Sequence, residues 1–241
     1  MAIFEDLKAE QDRLADILAG LDAAQWAAPS AAAGWTVSDV VLHLAQTEEA
    51  VAATVAGESL QAPPGTSVDE IMNRLVRAER GGPDQVYHRW QEARAAALAA
   101  LRSADPQQPL AWVDAPLKPA TLATTRLAEH WAHGLDITGP LDIGFPDTDR
   151  LRNVAWLAHR TLPYALAQAG DQPHDVFCEL TAPDGATVWR YGPEDADSSI
   201  TGPAGAFCRV AARRLAPEES GLSARGPHGA AALRVLRTYA A

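Results

Sequence analysis

Apolar residues recur at helical spacing in five long stretches of the first 170 residues. In the first, Ile3 to Leu18, the residues Phe4, Leu7, Leu14, Ile17 and Leu18 share one face, and Glu10, Asp12 and Arg13 are expected to point outward. Gly20 and Asp22 end it, and Trp26 to Gly34 reads as a loop. The second stretch, Val37 to Ala56, has a well-marked start. Thr36-x-x-Asp39 has the form of a capping box, and Trp35, just before the cap, is placed to staple onto Val40. A loop over 56–66 leads to a short helix from Ser67 to Arg80, which Gly81-Gly82-Pro83 breaks. Pro83 suits the first turn of the next helix, Asp84 to Leu101, whose Val86, Trp90, Ala97 and Leu101 face inward while His88 faces out. A loop over 103–119 precedes the helix Leu122 to Ile137. The fifth stretch, Asp149 to Ala169, carries Val154, Leu157, Leu162 and Leu166 inward, with a kink expected at Pro163.

The pattern changes after Gly170-Asp171-Gln172-Pro173. Asp175 to Thr181 alternates, Pro183-Asp184-Gly185 is a turn, and Thr187 to Tyr191 completes a hairpin. Ser198 to Gly202 reads as a third strand, followed by helices over 203–214 and 230–239. The expected fold is therefore mainly α: an antiparallel helical bundle over 1–170 and a small α+β domain over 174–241.

Composition narrows the function. A chain of 241 residues with 47% hydrophobic content can bury a sizeable core. Its net charge of −11 argues against nucleic acid and anionic membranes as partners. No run of 18 apolar residues is present, so no membrane span is expected. The first residues, Met1 to Asp6, carry no basic segment followed by an apolar one; no signal peptide is expected, and the cytoplasm is the expected location. Two cysteines, Cys178 and Cys208, are too few for a disulfide scaffold or a cysteine zinc site, and both are expected to be unpaired.

The chemistry concentrates in Glu129-His130-Trp131-Ala132-His133-Gly134-Leu135-Asp136. Glu129 and His133 are four residues apart, so a helix puts both on one face, one turn apart. A carboxylate and an imidazole so placed can close on one divalent ion. His43, two turns into its own helix, would complete a set of three, and three protein ligands with an open position make a catalytic site rather than a structural one. Each residue also has an ordinary explanation: a core histidine bonded to a neighbour, or a surface Glu–His pair. The stripe Leu122, Arg126, Glu129, His133, Asp136 is polar where a core stripe is apolar, which is costly unless the charges are paired. That conflict favours a site, with Asp136 placed to orient His133 through its other ring nitrogen.

These residues resemble a known family. Gly34-Trp35-Thr36-Val37-x-Asp39-Val40-Val41-x-His43-Leu44 and Glu129-x-Trp131-Ala132-His133-Gly134-x-Asp136 are similar to two signatures of the DinB-like metalloprotein superfamily, in particular the mycothiol-dependent maleylpyruvate isomerase family. Asp147 to Arg152, Leu180 to Gly185, Ile200 to Ala204 and Phe207-Cys208-x-Val210-x-x-Arg213-Arg214 extend the likeness over nearly the whole chain. The resemblance implies a DinB-like bundle and a divalent metal, zinc for preference with nickel or iron compatible, on His43, Glu129 and His133. It also implies mycothiol as a thiol cofactor in an isomerase or transferase reaction on a small electrophilic or acidic molecule. A metal-bound thiol is deprotonated, and its thiolate can add to a conjugated double bond, let it rotate and leave. Arg126, Arg213 and Arg214 are the candidate cations for an acidic substrate group, against the ordinary reading of solvated charge. His130 and Leu117-Lys118-Pro119 depart from the family pattern and bear on the substrate. A metal-dependent hydrolase and a non-catalytic binder of a small ligand or metal stay open beside this reading, as do the substrate and whether the chain is a monomer or a homodimer.

Overall fold

The computed structural model describes residues 2–58, 67–113 and 115–238, which divide into two compact units, 1–145 and 146–240. The first unit is helical: α1 (Ala2–Ala19), α2 (Ala23–Ala27), α3 (Val37–Val55), α4 (Val68–Ala78), α5 (Pro83–Ser103) and α6 (Pro119–Thr138). The four long helices form the bundle, in which α1 and α3 each pack on both α5 and α6. Leu14, Leu18, Val40, Val41, Leu44, Val86 and Trp90 build its centre, each large apolar side chain contributing about 1.5–3 kcal/mol on burial. No strand precedes Phe177 among the described residues; two isolated bridges, Pro29↔Thr36 and Leu110↔Leu117, brace loops.

The start of α3 is built as the sequence implies. Thr36 accepts from the Asp39 backbone, and the Asp39 carboxylate accepts from the Thr36 backbone. The same carboxylate also takes a bidentate pair of hydrogen bonds from Arg80, both 2.8 Å. Burial opposes its charge, yet the bonds from Arg80 and Thr36 win and hold its pKa below the usual carboxylate range. Three local expectations change. The stretch at Trp26 is the short helix α2, because Asp22 forms a second capping box with Gln25 and Trp26 enters the core. Glu10 is buried rather than outward, with the Arg13 guanidinium 3.5 Å from it. And α6 begins at Pro119, a residue suited to a first helical turn, not at Leu122. The expected loop over 56–66 lies for the most part outside the described residues.

In α6, Gly134 follows His133 directly. A Cβ there would lie 2.6 Å from the Phe145 ring, whose face is 3.6 Å from the Arg13 guanidinium. The missing side chain lets Phe145 lie against the backbone of the site-bearing helix.

The second unit comprises α7 (Leu151–Gln168), β1 (Phe177–Thr181), β2 (Val188–Tyr191), β3 (Ser199–Pro203), α8 (Ala204–Ala211), β4 (Ser223–Arg225) and α9 (Gly226–Val235). The sheet order is β2-β1-β3-β4, with β1 antiparallel to β2 and parallel to β3, and β3 antiparallel to β4. Alternation puts Cys178, Leu180 and Ile200 on the buried side. Here the division differs from the boundary expected at 170–173. Helix α7, continuous through Pro163, packs on α8, α9 and β2. It is also tied to this unit by hydrogen bonds: Tyr191 Oη to the Arg152 carbonyl at 2.9 Å, His159 Nε2 to the Val176 carbonyl at 2.9 Å, and Thr161 Oγ1 to the Arg237 carbonyl. A glycine-proline break marks where a helix stops, not which core the helix belongs to. Strand β4 was not expected; Ser223-Ala224-Arg225 is too short to show alternation. Helix α9 starts earlier than the expected 230, with Pro227 in its first turn; Tyr239 lies outside the described residues.

Both cysteines are free and buried. Burial raises the Cys178 thiol to about 12 and pushes Cys208 up as well. Without reductant, an alkylating reagent is expected to modify both cysteines in denaturant and neither at appreciable rate in the native protein. Mass spectrometry reads the count, and a single modification in denaturant would contradict the assignment.

Candidate metal centre

His43 enters from α3, and Glu129 and His133 from α6. Their donor atoms all lie within 4.8 Å of one another. Glu129 Oε2 is 3.8 Å from His43 Nε2 and 3.5 Å from His133 Nε2, so both imidazoles aim the same nitrogen at one carboxylate. The far nitrogen of His133, Nδ1, is 2.9 Å from Asp136 Oδ2. With Nδ1–H donating to Asp136, Nε2 keeps its lone pair, the arrangement seen for histidines that ligate metals. The i,i+3 reach along one helix is short but is made. His43 Nδ1 is buried with no hydrogen-bond partner among the described residues. Two imidazole nitrogens and one carboxylate oxygen suit a borderline divalent ion such as zinc and leave a coordination position open.

The electrostatics follow from crowding. Burial lowers the His43 pKa, opposed by the nearby Glu129 carboxylate and reinforced by the charges on His133 and Arg126. Burial works against the charges on Glu129 and His133 too, but their mutual attraction, with His43 beside Glu129 and the hydrogen bond between His133 and Asp136, prevails. Glu129 is therefore held well below the usual carboxylate range and His133 is raised.

Trp35 forms one wall. Its ring centroid is 5.0 Å from that of His43 and 6.4 Å from that of His133, nearly parallel to the latter. Its indole nitrogen donates to Asn73 Oδ1 at 2.8 Å, fixing the ring from α4. The sequence pattern gave Trp35 only the staple onto Val40. A residue folded over the first turn of a helix also reaches the next turn on that face, where His43 stands.

Arg126 does not stand open to a substrate. It is 3% exposed, and its guanidinium donates to Glu48 Oε1 at 2.9 Å and Thr47 Oγ1 at 2.7 Å. Sequence reasoning missed Glu48, although it falls among Val41, Leu44 and Val51 on the apolar stripe of α3, where a charge demands a partner. Burial raises the Glu48 pKa, offset in part by Arg126. His130, the departure from the family pattern, is a core residue. Trp90 Nε1 donates to its Nε2 at 3.2 Å, which leaves Nδ1–H to donate to the Arg126 carbonyl at 2.8 Å. Burial, with the Arg126 charge nearby, lowers its pKa to about 3, so the ring is neutral. Leu117 pairs with Leu110 through backbone bonds, and Lys118 is the N-terminal flanking residue of α6, its Nζ donating to Gln107. Arg213 and Arg214 belong to the second unit, just after α8. Arg213 has positive φ, and the Arg214 side chain donates to the Ala212 carbonyl at 2.6 Å.

Comparison with known families places this geometry. The model of the mycothiol maleylpyruvate isomerase N-terminal domain matches residues 7–138, and that of the MDMPI C-terminal domain matches 155–233. The chain belongs to the mycothiol maleylpyruvate isomerase family. The residues matched by the N-terminal model include all three candidate ligands. The family's C-terminal model begins inside α7, in accord with the grouping of that helix with the sheet. Two uncharacterized proteins of Mycobacterium tuberculosis, from strains CDC 1551 / Oshkosh and ATCC 25618 / H37Rv, are each 33% identical over 245 residues, covering 98% of this chain and 94% of the relative. Crystal structures of the mycothiol-dependent maleylpyruvate isomerase share the fold. A point mutant aligns at TM-score 0.65 and 17% identity, and a second structure at 0.63 and 18%, each covering 95% of both chains. Among the described residues, no helix is long and apolar enough to cross a membrane.

Proposed function

We propose that the chain is a metal-dependent enzyme that uses mycothiol to act on a small electrophilic or acidic molecule, as an isomerase or thiol transferase. The observation that carries this reading is the convergence of His43, Glu129 and His133, with Asp136 on the far nitrogen of His133, in a chain of this family. A divalent ion bound there, zinc for preference, would lower the pKa of a thiol in its open position and make the thiolate available at neutral pH.

The chain's own residues do the positioning. Asp136 fixes the ring orientation and tautomer of His133. Glu129 would supply one negative charge toward a divalent cation held there. Trp35 lies against both imidazoles and limits their rotation. Arg126, bonded to Glu48 and Thr47 on α3, sets the spacing between the two helices that carry the ligands. Arg213 and Arg214 are the cations proposed to pair with an acidic group of the substrate. Two unpaired thiols fit a reducing cytoplasm, where we place the protein.

The test is calorimetric titration of the metal-loaded protein with mycothiol, beside a His133→Ala variant. The expected result is saturable binding by the parent and none by the variant. Binding by neither would remove the thiol from the reading, and equal binding by both would remove the metal from thiol recognition.

A further inference from the structure

A second group of ligand-type side chains lies in the second unit. Asp171, His174 and His228 present donor atoms that all lie within 4.8 Å of one another. Asp171 and His174 stand in the segment after α7, and His228 in the first turn of α9. The two imidazoles lie face to face, ring centroids 3.4 Å apart and planes within 10°. Asp171 Oδ1 is 3.7 Å from His174 Nε2.

This is an unfavourable arrangement for the side chains alone. Aromatic rings prefer offset or edge-on contact to a face-to-face sandwich. Two imidazoles at this distance also repel if both are protonated. Lone pairs lie in the ring planes, so the stacked rings must turn apart before one nitrogen of each meets a shared cation; that turn relieves the stacking, and a divalent ion held there with the Asp171 carboxylate displaces the protons. We propose that Asp171, His174 and His228 form a second divalent-metal site that clips the end of α7 to the start of α9. Two nitrogens and one oxygen select a borderline transition ion such as zinc, nickel or copper over calcium or magnesium. Three ligands leave positions for water, and the partial exposure of all three residues opens the site to exchange.

The backbone holds the ligands ready. At the end of α7, Gly170 adopts positive φ, its N–H donates to the Ala167 carbonyl, and Asp171 N–H donates to the Leu166 carbonyl at 2.9 Å. This glycine-closed helix end fixes where Asp171 leaves the helix. On the other side, His228 N–H donates to Ser198 Oγ at 3.0 Å. Gly226 has positive φ and packs so tightly that a Cβ would meet the Asp197 carbonyl, which pins the start of α9 against the strand-side loop. Zinc sits about 2.0–2.1 Å from nitrogen ligands, so the donors must draw in by roughly an ångström. The exposed Asp171 side chain and rotation of the imidazoles supply that movement.

The test is zinc titration of the full chain after chelator treatment, followed by calorimetry. The parent, His133→Ala and the His174→Ala/His228→Ala double variant are compared at neutral pH. The double variant is expected to bind one equivalent fewer than the parent, and His133→Ala is expected to keep that equivalent. If the bundle centre takes no metal, the parent binds one equivalent and the double variant none, which still supports this site. His228→Gln alone, which keeps the start of α9, is expected to weaken this equivalent by roughly tenfold or more, since even the loss of an outer partner of a ligand costs that much. Equal stoichiometry and affinity in the parent and the double variant would overturn the proposal.

Discussion

A His133→Ala variant is expected to lose the equivalent of divalent metal held in the bundle and to keep the one at His174 and His228, read by elemental analysis of the purified protein. His133 sits at the junction of the proposed centre: Nε2 faces Glu129 at 3.5 Å, and Nδ1 is held by Asp136 at 2.9 Å. Its removal deletes one of three ligands and the only one whose tautomer the structure fixes with a carboxylate among those three. Asp136→Asn keeps the shape and removes the charge, and is expected to weaken metal binding by about 10–100-fold without abolishing it. That graded response separates a metal centre from a structural Glu–His cluster, in which the asparagine variant would change stability alone. Full metal content in His43→Ala, Glu129→Ala and His133→Ala alike would defeat the assignment.

An Arg126→Met variant is expected to lose about 3–5 kcal/mol of stability, because it strands Glu48 inside the bundle. Glu48 is fully buried, and its Oε2 already lacks a hydrogen-bond partner among the described residues. The remaining oxygen depends on the Arg126 guanidinium at 2.9 Å. The double variant Arg126→Met/Glu48→Leu removes both charges and is expected to recover most of the loss, since a buried ion pair often gains little over an apolar pair of similar volume. The sign of the pH response distinguishes this cause from simple loss of packing. Burial already raises the Glu48 pKa in the folded protein, and deleting Arg126 raises it further. A carboxyl group with a raised folded pKa binds its proton more tightly when folded than when unfolded. Its penalty is full above the folded pKa and vanishes below the unfolded one. The deficit of Arg126→Met relative to the parent should therefore shrink as pH falls from neutral into the acid range, measured by urea unfolding at each pH. A deficit independent of pH would contradict the account.

Much of this architecture is local and therefore legible in the chain. Two helix starts follow from side chains that satisfy first-turn N–H groups, Thr36 with Asp39 and Ser67 with Glu70, and two from Pro83 and Pro119, which bring no N–H to satisfy and a φ already suited to a helix. The i,i+4 spacing of Glu129 and His133 alone puts them on one face, because helical geometry leaves no alternative. His43 could be joined to them only as a hypothesis, which family resemblance strengthened, since no periodicity links residues on two different helices.

Tertiary structure decided the rest. It turned Arg126 from an expected substrate cation into the partner of Glu48, 78 residues away. It set Trp35 against both imidazoles and moved α7 into the second unit. It brought His174 to His228, which the chain separates by a whole sheet. The physical reason is the same in each case. Backbone caps and turns are satisfied within a few residues, so their chemistry is written in the local sequence. A buried charge or ring is satisfied by whatever the packed core brings beside it, and that neighbour is chosen by the fold as a whole.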